Sequence, residues 1–96
     1  MANVIWKFTL DTSGVVMMPK GAKPISAREQ GDALCVWAIV DPEAPKVSRR
    51  VYIIGTGHEG ANYGDLPFLG TALLMGGRLV IHVFDGGEMP LSKAGA

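Results

Sequence analysis

The chain has 96 residues, nine Lys plus Arg against nine Asp plus Glu, and 48% apolar residues with a positive mean hydropathy. That length allows one domain, and a formal charge of zero argues against a protein that coats DNA or RNA, whose many phosphates must be neutralised. A single cysteine, Cys35, excludes an internal disulfide, one Cys with two His does not close a tetrahedral zinc shell, and no run approaches the roughly 18 apolar residues of a membrane span.

Met1-Ala2-Asn3-Val4-Ile5-Trp6-Lys7 lacks the basic-then-apolar order of a signal peptide, so a cytosolic protein with a reduced thiol is expected. Val4, Trp6, Phe8 and Leu10 alternate with Ile5, Lys7 and Thr9, which predicts a strand with one apolar and one mixed face. Asp11-Thr12-Ser13-Gly14 is a turn cluster. Val15 to Met18 reads as a short strand stopped at Pro19, and the Pro and Gly of residues 19–24 predict a loop. Ile25 to Gln30 alternates again, and Gly31-Asp32 predicts a hairpin into Ala33–Val40. That run is apolar on both faces, which places it centrally and Trp37 in the core. Asp41 to Lys46 is a loop, and Val47 to Ile54 is a strand with Arg50, Tyr52 and Ile54 on one face and Arg49, Val51 and Ile53 on the other.

A glycine-rich segment, 55–64, follows. Phe68 to Met75 and Arg78 to Phe84 flank Gly76-Gly77, read as a two-residue hairpin; a short helix over 68–75 is the alternative, which Gly70 and Thr71 disfavour. The fold class is all-β: a small antiparallel sandwich or partly closed barrel of six or seven short strands. Residues 1–85 form one β-rich domain, and the Gly-, Pro- and Lys-containing stretch 86–96 is read as a flexible tail. Domains this small bury a modest share of their surface, so the apolar excess predicts a homo-oligomer, a dimer or tetramer.

Gly55-Thr56-Gly57-His58 follows a strand directly. Two glycines permit positive φ and close backbone approach to a ligand, successive N–H groups can form an anion-binding concavity, and Thr56 and His58 add a hydroxyl and an imidazole. The competing reading is a plain chain reversal with His58 in solvent. The segment is neither a Walker loop nor a dinucleotide fingerprint, and no cofactor is implied. Arg49 or Arg50 is the candidate phosphate cation; the competing reading is solvated charge that blunts a sheet edge. Tyr63, in a polar segment, is the best exposed aromatic for stacking. His82 reads as a satisfied strand histidine, and Cys35, inside an apolar run, as inert. The carboxylates form no acid–base couple, so no enzyme is expected.

Taken in order, Ile5-Trp6-Lys7, Met18-Pro19-Lys20-Gly21-Ala22, Trp37-Ala38-Ile39-Val40-Asp41-Pro42, Gly55-Thr56-Gly57-His58, Gly70-Thr71 and Leu79-Val80-Ile81-His82-Val83-Phe84 resemble a family of short bacteriophage proteins. The resemblance runs from residue 4 to residue 85. It implies a viral immune-evasion sponge in the cytoplasm of an infected bacterium, one that sequesters the cyclic dinucleotide signals of anti-phage systems known as CBASS without cleaving them. The residue reading then gives Arg49, Arg50, Gly55, Thr56, Gly57, His58 and Tyr63 as ligand contacts. Two other functions fit the same sequence: a protein–protein inhibitor of a host or defence factor, and a minor virion structural protein.

Overall fold

The computed structural model describes residues 3–60 and 62–89. Seven strands run through them: β1 (Val4–Leu10), β2 (Val15–Pro19), β3 (Lys23–Gln30), β4 (Ala33–Val40), β5 (Lys46–Gly55), β6 (Phe68–Leu74) and β7 (Leu79–Glu88). They form two antiparallel sheets, ordered β1-β4-β3 and β2-β5-β7-β6. The sheets pack as a sandwich and do not close into a barrel. Among the described residues no helix is long and apolar enough to cross a membrane.

Alternation sets which residues face inward. Met18, Val36, Val40, Val51 and Val83 are completely buried between the sheets, with Leu10, Leu34, Ala38, Leu69, Ala72 and Ile81 around them. Trp6 and Phe8 pack against this core from the β1 side. β4 is the centre of the three-stranded sheet, as its two apolar faces predict, and Cys35 is buried there. Trp37 differs from expectation. Its odd-numbered position in β4 turns it to the outer face, where it is half-buried.

The two long sides of the sandwich are unlike. On one side β3 lies over β6. A side chain at Gly70 would place its Cβ 2.1 Å from the Ala27 carbonyl oxygen, so only glycine permits this approach. The Leu73 N–H donates to Glu29 Oε1 at 2.7 Å across the same junction. On the opposite side β1 and β2 scarcely touch.

Three local readings change. The Gly31-Asp32 hairpin forms with Gln30 opposite Ala33, but the second hairpin has a four-residue loop, Met75–Arg78, closed by Leu74 opposite Leu79. Its first residue, Met75, sits at φ 53, so the turn begins one residue before the glycines. Residues 68–74 are strand, with Leu69 inserted as a bulge between Phe68 and Gly70. β3 starts at Lys23, inside the stretch read as loop, and β7 continues through Gly86–Glu88, inside the stretch read as tail. The rest of that stretch, 90–96, lies outside the described residues.

Candidate functional site

The outer face of the four-stranded sheet carries the site. β5 contributes Tyr52 and Ile54, and β7 sets Phe84 and His82 directly opposite them. β6 brings Phe68 opposite Phe84 and Thr71 opposite His82. At the end of β5 the chain reverses through Gly55-Thr56-Gly57-His58. The His58 N–H donates to the Gly55 carbonyl at 3.1 Å, and Gly57 holds φ +85, the positive value a type II turn requires at its third residue.

The two glycines do different jobs. Gly57 supplies the backbone conformation. Gly55 makes room, since a Cβ there would lie 2.8 Å from His58 Nδ1, so the imidazole folds back over the strand end. The expected concavity of successive N–H groups is not what the turn presents. The Thr56 N–H donates to the Val80 carbonyl at 3.3 Å and the His58 N–H is used within the turn. The turn's functional offer therefore lies in its side chains.

One depression of about 330 Å³ opens beside the turn, lined by Ile54, Gly55, Thr56, Gly57, His58, Tyr63, His82 and Phe84. This is near the lower end of ligand-pocket sizes, about 300–1,000 Å³. Its apolar wall is aromatic. The Tyr63 and Phe84 ring centroids are 5.3 Å apart at 42°, and the Phe68 and Phe84 centroids are also 5.3 Å apart, at 57°. Tyr63 reaches the sheet from a short 3₁₀ turn, Tyr63–Asp65, and Gly60 leaves its ring the necessary space. The polar wall is His82, held by two hydroxyls: Thr56 Oγ1 is 2.7 Å from Nε2 and Thr71 Oγ1 is 3.0 Å from Nδ1. A threonine hydroxyl donates or accepts, so this pair suits either neutral tautomer and the imidazolium alike.

A second depression of about 280 Å³ lies on the other side of the turn, lined by Gly55, Thr56, His58, Arg78, Leu79 and Val80. Arg78 comes from the β6–β7 loop, where its Nε donates to the Met75 carbonyl at 3.3 Å. Gly55, Thr56 and His58 thus form a ridge with an aromatic hollow on one flank and an arginine on the other.

Five of the seven residues expected at a ligand site, Gly55, Thr56, Gly57, His58 and Tyr63, line one depression. The arginines do not join them. Arg49 faces the interior and is 8% exposed. Its Nε and Nη2 donate to the two Asp85 carboxylate oxygens at 3.1 and 3.3 Å. β5 is an internal strand, flanked by β2 and β7, so Arg49 is not an edge charge, and it lines neither depression. Arg50 is on the outer face but lines neither depression. It lies 5.9 Å over the Tyr52 ring, and its Nη1 donates to the Ser13 carbonyl at 3.1 Å. The cation beside the turn is Arg78, which sequence reasoning passed over, as it did Phe84. His82 is satisfied, as expected for a strand histidine, yet it lines the hollow. Its alternation with Phe84 was visible in the sequence, but the register that sets both against β5 was not.

The family described as Domain of unknown function (DUF7352) matches residues 1–91. No curated protein and no solved structure matches the chain.

Proposed function

We propose that this chain, which belongs to the DUF7352 family, binds a small cyclic nucleotide on the outer face of its four-stranded sheet and holds it without turning it over. The observation that carries this reading is the shared ridge: Gly55, Thr56 and His58 border both the aromatic hollow and the depression that contains Arg78. A nucleotide has the same layout. Its base stacks against Tyr63 and Phe84, as bases do on exposed aromatic side chains at about 1–3 kcal/mol each. Its phosphate meets the Arg78 guanidinium, a planar fork suited to phosphate oxygens. The ribose lies over the turn, within reach of Thr56 and His58.

A cyclic dinucleotide repeats base and phosphate about a twofold axis, so two copies of the chain supply two such ridges. On this reading the protein acts in the cytoplasm of an infected bacterium as a viral sponge for an anti-phage signal. Calorimetric titration with a panel of cyclic di- and trinucleotides, and with linear mononucleotides as controls, is the test. Binding that weakens about tenfold or more in Tyr63→Ala and in Arg78→Ala is expected. Absence of binding across the panel would overturn the reading.

A second reading, a protein–protein inhibitor, is favoured by the same face. Phe68, Leu73 and Met17 stand 57%, 51% and 51% exposed on it. It predicts a host protein captured by the wild type and lost in Phe68→Asp, with Arg78→Ala unaffected.

A further inference from the structure

The inner faces of the two sheets meet unevenly. They touch where β3 lies over β6 and Gly70 approaches Ala27. At the end of the sandwich that holds the turns after β1 and β3 they part, leaving a cavity of about 410 Å³. That is within the range of ligand pockets, about 300–1,000 Å³.

The walls of the cavity are aliphatic. Leu10 and Leu34, opposed across β1 and β4, face it from the three-stranded sheet. Ile53, Leu74, Leu79 and Ile81 face it from the four-stranded sheet. Leu79 is left 38% exposed there, so the core is incompletely covered at this end. Apolar surface in this position gains by burying the hydrocarbon of a ligand.

The rim is acidic. Asp11 and Asp32 line the same cavity, and among the described residues no Lys, Arg or His does. Asp11 is fixed in its turn, because the Ser13 hydroxyl and N–H both donate to its Oδ1. These bonds hold its carboxyl below the usual carboxylate value and leave Oδ2 for another donor. Asp32 stands exposed in the β3–β4 hairpin turn.

We propose that this cavity binds a small aliphatic amine, with its hydrocarbon chain between the sheets and its ammonium group at Asp11 and Asp32. The lining selects that occupant. No aromatic ring among the described residues lines the cavity, so it offers a base nothing to stack on. Two carboxylates with no cation beside them repel a phosphate or a fatty acid and attract an ammonium group. A neutral hydrocarbon would meet the walls and leave the charge of the rim unanswered; an alkylammonium ion meets both. The site is separate from the one proposed for a nucleotide. It lies on the inner side of the four-stranded sheet and shares only Leu79 with the two depressions on the outer face, so either can fail without the other.

Amide chemical-shift titration of the full chain at pH 7 tests it, with hexylamine, hexanol and hexanoate as ligands that differ in head group and butylamine as the shorter amine. Hexylamine is expected to shift the amides of Leu10, Leu34 and Ile81. It is expected to bind about 15-fold tighter than butylamine, about fourfold for each of two methylenes, and at least about threefold tighter than hexanol, with hexanoate weakest. The double variant Asp11→Asn, Asp32→Asn keeps the size of both side chains and the Oδ1 that Ser13 bonds. In it hexylamine should fall to the level of hexanol, with hexanol unchanged. Asp32→Lys, a change in an exposed turn, should likewise remove the advantage of the amine. Hexanol or hexanoate binding the wild type as tightly as hexylamine, an amine affinity indifferent to chain length or to loss of both carboxylates, or shifts confined to other parts of the chain would each overturn the proposal.

Discussion

Thr56 Oγ1 lies 2.7 Å from His82 Nε2, joining the reversal after β5 to the middle of the neighbouring strand β7. Thr71 Oγ1 holds the other ring nitrogen at 3.0 Å, so the imidazole is fixed from both sides at the rim of the aromatic hollow. Removing one hydroxyl forfeits a hydrogen bond worth about 0.5–1.5 kcal/mol. Thr56→Val is expected to lower stability by about that amount in urea unfolding, while Thr56→Ser, which keeps the hydroxyl, stays near wild type.

The two adjacent arginines of β5 separate cleanly. Arg49 is paired with Asp85 inside the sandwich, the side chains being 10% and 13% exposed. Truncating one partner of a buried pair costs about 3–5 kcal/mol, because the other charge is left uncompensated. Arg49→Met is expected to unfold at much lower urea, and Arg49→Lys, which keeps charge but not the paired hydrogen bonds, at an intermediate concentration. The folded Arg49→Lys protein should bind nucleotide as the wild type does, unlike Arg78→Ala.

Gly70 marks where the sheets touch. The 2.1 Å from its notional Cβ to the Ala27 carbonyl oxygen forces β3 and β6 apart in any substitution. Gly70→Ala is expected to cost about 1–3 kcal/mol, the range for overpacking, and to lower the thermal midpoint accordingly. Gly64, with open space around its Cβ position, is the control: Gly64→Ala should change stability by less than about 0.5 kcal/mol.

The same junction carries a pH dependence. The Leu73 N–H, bonded to the Glu29 carboxylate, holds that carboxyl below its ordinary 4.5. A folded value lower than the unfolded one means that the contribution is complete above pH 4.5 and fades as pH falls through the folded value. Glu29→Gln is expected to flatten this part of the acid limb of stability. Protection of the Leu73 amide from exchange should fall on acidification in the wild type and vary less in the variant.

The strands were legible because alternation and turn chemistry are local. Val4–Leu10, the Gly31-Asp32 hairpin and the central run 33–40 need only a few neighbouring residues to declare themselves, and all three stand in the structure. Gly55-Thr56-Gly57-His58 with Tyr63 was legible as a possible site for the same reason: two glycines after a strand announce a turn. Whether Arg49 faced phosphate or Asp85 was not legible. Alternation placed Arg49 and Arg50 on opposite faces of β5 without saying which face was inward, and the answer depended on β2 and β7 flanking that strand.

His82, Phe84 and Arg78 reach the turn only through the antiparallel register of β5 with β7, a pairing between residues some 30 positions apart. Side-chain periodicity fixes the faces of a strand, but its partner is set by how both sheets bury their apolar faces together. The sequence by itself thus determined the strands, the turns and the absence of a disulfide. Only the tertiary structure decided that the Gly55–His58 turn stands between an aromatic hollow and an arginine, and that β3 lies over β6 while β1 and β2 scarcely touch.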